Sequence, residues 1–110
     1  MWNVDPTPEY LEWFRMQEGE AKEAVLAKVL LLQEFGPDLK RPHADTLKGS
    51  RYKNLKELRA RTSAHVLRVL YYFDEERKAL LLIGGDKKGQ NEKSFYKKLI
   101  REAEALIERH

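Results

Sequence analysis

Between Leu55 and Gly85 apolar and polar positions alternate in three runs separated by short polar turns. In the first, Leu55, Glu57, Arg59 and Arg61 fall on one side and Lys56, Leu58 and Ala60 on the other, the two-residue period of a β-strand with unlike faces. In the second, from His65 to Phe73, only the set Leu67, Val69, Tyr71 and Phe73 is uniformly suited to a core, so Val66, Arg68, Leu70 and Tyr72 mark the other face. The third, Ala79 to Gly84, is apolar on both sides, as in a strand covered on both faces. The intervening turns, Thr62-Ser63-Ala64 and Asp74-Glu75-Glu76-Arg77, are short enough to predict an antiparallel meander.

Helical periods flank this meander. Trp2 to Val4 predict a short strand, after which Thr7-Pro8-Glu9 supplies an N-cap, a proline at the first helical position and an early acid. The helix that follows carries Tyr10, Leu11 and Phe14 on one side and stops near Gly19. From Glu20 to Phe35 apolar residues recur at three- and four-residue steps, and Gly36-Pro37 ends the run. The two helices predict a hairpin in which Trp13 and Phe14 pack. Asp38 to Asn54 lacks sustained periodicity and reads as a long basic loop with a short strand near Thr46 to Lys48. A last helix, Glu92 to Arg109, buries Phe95, Leu99, Ala103, Leu106 and Ile107.

The predicted fold class is therefore α+β, a single domain over residues 1–110 in the order β-α-α-β-β-β-α. It is a small antiparallel sheet with an N-terminal helical hairpin on one face and a C-terminal helix. In this layout all three helices cover one face and leave the other, bearing Glu57, Arg59, Arg61, Arg68 and Tyr72, open to an anion.

Composition narrows the function. A chain of 110 residues holds one core and no separate regulatory domain, and 42% hydrophobic residues suffice to fold it. With no cysteine there is neither a disulfide nor a thiolate metal site. No run approaches the ~18 apolar residues of a spanning helix, and the N-terminus lacks the regions of a secretion signal, so a soluble cytoplasmic protein with no membrane partner is expected. The net charge of +3 is unevenly spread. Residues 36–68 hold nine Lys and Arg against three Asp and Glu, whereas residues 1–35 hold three against seven.

Arg59, Arg61 and Arg68 on adjacent strands lie close enough to form one anion site, and the guanidinium fork suits phosphate. Glu57 shares their face and either orients Arg59 or accepts a proton. The reading in which these arginines are merely solvated or paired with Glu57 stays open on spacing alone. Lys48, Arg51, Lys53 and Lys56, with Tyr52 interleaved, fit a phosphate backbone beside a stacking aromatic. Gly84 to Gly89 lacks the spacing of a nucleotide-binding phosphate loop. His43, His65 and His110 have no ligand-like spacing, so neither a metal nor a cofactor is expected, and His65 reads as exposed. Alanine at Arg59 or Arg68 is expected to leave the thermal transition close to wild type.

The stretches LKGSRYKNLKELR, RVLYYFD and LLLIGGDKKG, followed by the closing helix, resemble the HigB branch of the RelE/ParE toxin superfamily, in a variant with Gly-Asp-Lys after the last strand. The likeness runs from about Arg41 to the C-terminus, and the β-α-α opening fits it. It implies the toxin of a type II toxin-antitoxin system, a metal-independent, ribosome-dependent endoribonuclease that cuts translated mRNA and arrests growth. Its implied partners are the ribosome, mRNA and a cognate antitoxin of helix-turn-helix type.

By the same likeness the arginine of the family's E-L-R strand is Arg59, that opening R-V-L-Y is Arg68, and the basic pair is Lys87 and Lys88. Many relatives carry His-Gly-Phe before that pair, where this chain has Ile83-Gly84-Gly85. The implied reaction is attack by a 2′-hydroxyl to give a 2′,3′-cyclic phosphate, with Arg59 and Arg68 on the phosphate. Proton transfer falls to Lys56, Glu57, Lys87 or Tyr72, and RNA contacts to Lys48, Arg51, Tyr52, Lys53, Arg61 and Lys88. The competing expectation is a protein of the same fold without nuclease activity, acting on DNA gyrase or as a binding module.

Overall fold

Thr7 begins the first helix as its sequence requires: its Oγ1 accepts the Tyr10 N–H at 3.1 Å. The same hydroxyl donates toward the Leu81 and Leu82 carbonyls, both at 2.9 Å, so the cap also pins the helix to the sheet. The computed structural model describes all 110 residues. The elements are β1 (Val4–Pro6), α1 (Pro8–Arg15), α2 (Gly19–Phe35), a short 3-10 turn (Gly36–Asp38), β2 (Ala44–Thr46), β3 (Lys56–Arg61), β4 (Val66–Phe73), β5 (Ala79–Asp86) and α3 (Glu92–Arg109). No helix is long and apolar enough to cross a membrane.

The sheet order is β1-β5-β4-β3-β2. The β3-β4-β5 meander is antiparallel, with Arg59 opposite Arg68 and Glu57 opposite Leu70. Two details depart from expectation. β1 lies two residues later than Trp2–Val4 and pairs parallel to β5, Val4 opposite Ala79. The short strand before the meander is Ala44–Thr46, because Ala44 is the residue small enough to be fully buried against Leu58.

Leu58, Ala60, Leu67, Val69, Tyr71 and Leu81 face α1 and α2, burying Tyr10, Val25 and Leu32 in one core. The expectation that all helices share this face is overturned. Leu55, Leu70, Leu80 and Leu82 face the opposite way and pack under Phe95, Leu99, Ile100, Ala103 and Leu106 of α3. The physical reason is visible in β5, whose two apolar faces both need cover. The arginine-bearing face is therefore roofed by α3, and only its end beyond the helix is accessible.

Candidate functional site

Because α3 closes over the sheet, Glu57 and Arg68 are buried, 5% and 3% exposed. Buried charges must be paired, and these are. Arg68 Nε lies 3.4 Å from Glu57 Oε1 and donates to the Tyr96 hydroxyl at 3.1 Å, while that hydroxyl donates to Glu57 Oε1 at 2.6 Å. Arg68 Nη1 also donates to the Leu67 carbonyl at 3.0 Å. Burial, followed by the hydrogen bond to Glu57, pushes the Tyr96 phenol up to about 12, so it keeps its proton and acts as a donor.

Arg59 completes the group from β3 itself, two residues beyond Glu57 and directly opposite Arg68. Its Nε lies 3.8 Å from Glu57 Oε2, too far for a hydrogen bond, and is buried without any partner. The group opens into a cleft of about 540 Å³ whose lining includes Lys48, Glu57, Arg59, Lys87, Lys93 and Tyr96. Lys87 donates to Glu92 at 2.6 Å, and its ammonium lies 5.6 Å from the centre of the Tyr96 ring. The hydrogen bond from Lys87 holds the Glu92 carboxyl below its usual range. Five cations, the four already in that lining except Glu57 and Tyr96 together with Arg41, thus surround one buried carboxylate that has a free oxygen edge.

The structure brings together Glu57, Arg59, Arg68, Lys87 and Lys48. Arg61 is exposed and lines a neighbouring concavity that also includes Arg59 and Arg68. Other expected residues stand apart. Lys56 donates to Thr46 at 3.0 Å and faces a different hollow, beside Lys40 and Asp45. Tyr72 stacks edge-on to Tyr52 and borders an acidic hollow with Asp74, Glu75 and Glu76. Arg51 is paired with Glu104 and Glu108 of α3, and the Tyr52 hydroxyl donates to Glu108 at 3.2 Å. Lys53 is exposed, and Lys88 donates to the Ser63 carbonyl at 3.1 Å.

His65 is not the exposed histidine the sequence suggests. Its Nδ1 lies 2.6 Å from Asp86 and its Nε2 2.9 Å from Glu18, a carboxylate on each ring nitrogen. Sequence reasoning also missed Tyr96, Lys93 and Arg41. Glu92 and Tyr96 stand one helical turn apart beside the buried Phe95, a spacing that aims both at the edge of the sheet. That signal was readable only once α3 was placed on the arginine face.

A family model described as phage-derived protein Gp49-like matches residues 12–108. The chain is 36% identical over 99 residues to a candidate toxin, HigB2, of Mycobacterium tuberculosis, the match covering 89% of this chain and 49% of that protein. It is 39% identical over 89 residues to a second candidate toxin of that organism, HigB3, covering 81% and 75%. The chain thus spans about half the length of the first relative and three quarters of the second. Among solved structures it resembles the isolated E. coli RelE toxin, with a TM-score of 0.65 at 16% identity over 91% of this chain and 99% of that one. A free-state mutant of E. coli RelE aligns with a TM-score of 0.62 at 18% identity, over 90% and 97%. At such identity these two likenesses speak for the fold.

Proposed function

The chain belongs to the Gp49-like family, on the HigB-like branch of the RelE/ParE toxins, and from that premise we propose that it is the toxin of a toxin-antitoxin pair that cuts translated mRNA on the ribosome. The observation that carries the reading is the buried Glu57 carboxylate, fixed by Tyr96 and Arg68 and flanked by an Arg59 whose Nε has no partner. A phosphodiester in the cleft would meet the exposed part of the Arg59 side chain, which is 28% accessible, while the buried Nε stays turned toward Glu57.

In this reading Glu57 takes the proton of the attacking 2′-hydroxyl through Oε2, the oxygen turned toward Arg59. The 2′-oxygen forms its bond to phosphorus while the bond from phosphorus to the 5′-oxygen breaks, leaving a 2′,3′-cyclic phosphate and a 5′-hydroxyl. Arg59 stabilises the charge that builds on the phosphoryl oxygens, a contribution of ~10² to 10³-fold per positioned donor. Arg68, buried and absent from the cleft lining, acts by holding Glu57 in place rather than on the phosphate. Lys87 protonates the departing 5′-oxygen, and such acid and base assistance is worth ~10² to 10⁴-fold. Tyr96, held as a donor, aligns Glu57. Lys56 and Tyr72 have no part in this scheme, since neither reaches the cleft. The partners are the ribosome, mRNA and a cognate antitoxin, with the cytoplasm as the setting.

Induced expression in a bacterium, followed by primer extension on a translated message, tests the proposal. New 5′-hydroxyl ends are expected with the wild-type chain and a loss of ~10²-fold or more with Arg59→Ala. Growth arrest without new ends, accompanied by inhibited DNA supercoiling, would overturn the nuclease reading in favour of gyrase.

A further inference from the structure

β2 pairs only with Lys56 to Leu58, so the outer edge of β3 is open from Ala60 onward. At this edge lies a concavity of about 470 Å³ between β3, Pro42 and α2. Its charged lining is Lys28, Arg59, Arg61 and Arg68, and the rest is Pro42 and alanine. Whereas Asp45, Glu57 and Glu92 oppose the cations of the main cleft, no carboxylate lines this hollow. Arg68 is balanced by Glu57 from behind and Arg59 makes only a long contact with it, but Lys28 and Arg61 meet no carboxylate, so the hollow keeps a positive excess that makes a site for an anion.

The lining also selects the kind of anion. There is no aromatic ring on which a base could stack and no acceptor to read a base edge, so the hollow suits a phosphate group of the backbone. Lys28 is already held in place for it. Its ammonium has only donors, so the 2.8 Å contact with His43 Nδ1 is a hydrogen bond given to the imidazole, and two further donors are left over. The His43 carbonyl in turn accepts the Arg59 N–H at 2.8 Å, which ties the Lys28 anchor to the strand position between the two hollows. Arg59 lines both of them.

We propose that this concavity is a second phosphodiester subsite, in which Lys28 and Arg61 hold the backbone of the same RNA strand next to the phosphate at Glu57 and Arg59. The proposal rests on the reading of the main cleft as an RNA site. Lys28 comes from the helical hairpin, so the strand crosses the open edge of β3 and touches both helical layers.

Fluorescence anisotropy with a labelled single-stranded 2′-O-methyl RNA of about six nucleotides, which lacks the attacking hydroxyl and stays intact, tests both readings. Affinity is measured against salt for wild type and for Lys28→Gln, Lys28→Arg, Arg61→Ala, Arg59→Ala and Lys97→Ala. Each lost phosphate contact should lower the slope of log K against log salt by ~0.7. That loss is expected for Lys28→Gln and Arg61→Ala, with recovery in Lys28→Arg and a wild-type slope for Lys97→Ala, which alters an exposed lysine that lines neither hollow. If Arg59→Ala weakens binding but Lys28→Gln and Arg61→Ala match wild type, the second subsite is wrong and the main cleft stands. If Arg59→Ala also matches wild type, the main cleft is not an RNA site. A polyglutamate peptide that displaces the RNA and loses its own affinity in Lys28→Gln more than the RNA does would assign the hollow to an acidic protein segment and overturn the proposal.

Discussion

Arg59 and Arg68 read alike in the sequence, as two arginines on one face of neighbouring strands, yet they carry different loads. Arg68 is 3% exposed and balances a buried carboxylate, whereas the Arg59 side chain is 28% exposed and makes only a long contact with the same group. Removing one partner of a buried pair leaves the other charged and desolvated, at a cost of ~3 to 5 kcal/mol. Glu57→Gln and Arg68→Ala should therefore each lose about 3 kcal/mol in urea unfolding, and Arg59→Ala less than about 1. The expectation that alanine at Arg68 spares the fold fails on this burial, and Arg59→Ala is the variant that separates function from folding. Equal stabilities for Glu57→Gln and Arg59→Ala would show that the Glu57–Arg68 pair holds nothing together. Tyr96→Phe, which removes a donor to a charged acceptor, should fall between them at about 1 to 2 kcal/mol.

Element by element, most of the architecture was legible, because alternation in β3 to β5 and three- and four-residue steps in the helices are local signals. The face on which α3 docks was not local. The sequence held a clue in β5, whose doubly apolar pattern conflicts with an open sheet face, but the clue names no partner. The register of β2 was hidden for a similar reason: Ala44 gains its place by burial against a strand fourteen residues on. Long-range fit decides Gly84 too. There the indole of Trp13, from α1, lies flat against the β5 backbone, and any Cβ would be driven into its ring. The backbone at Gly84 needs no left-handed conformation, so close approach alone requires the glycine. Gly84→Ala should cost ~1 to 3 kcal/mol through overpacking and should change the Trp13 fluorescence. An alanine variant as stable as wild type would mean that α1 can slide on the sheet.

Across the whole molecule the charges separate to the two edges of the sheet. Asp5, Asp74, Glu75 and Glu76 surround a hollow at the β1 side, while both cationic hollows flank β3 near the opposite edge. The net charge of +3 conceals this polarity, which turns the basic edge toward an approaching polyanion. At one end of the central strands a histidine joins three elements, since His65 on the approach to β4 bridges Glu18 at the start of α2 and Asp86 at the end of β5. The hydrogen bond with Asp86 raises the His65 pKa above its ordinary 6.5; desolvation opposes the rise, and the hydrogen bond with Glu18 adds to it. Burial opposes ionisation of Asp86, but hydrogen bonds from His65 and from the Val66 and Lys88 amides outweigh it and hold the carboxyl below 3.8. The histidine's contribution is therefore fully present below pH 6.5 and is lost as pH rises through its raised folded value. That of Asp86 is present above pH 3.8 and is lost as pH falls through its depressed value. Urea midpoints taken from about pH 5.5 to about pH 8.5 should decline for the wild type and stay nearly flat for His65→Gln, which keeps a polar side chain but cannot take the charge. A wild-type profile as flat as the variant's would mean that the three elements hold together without the imidazolium.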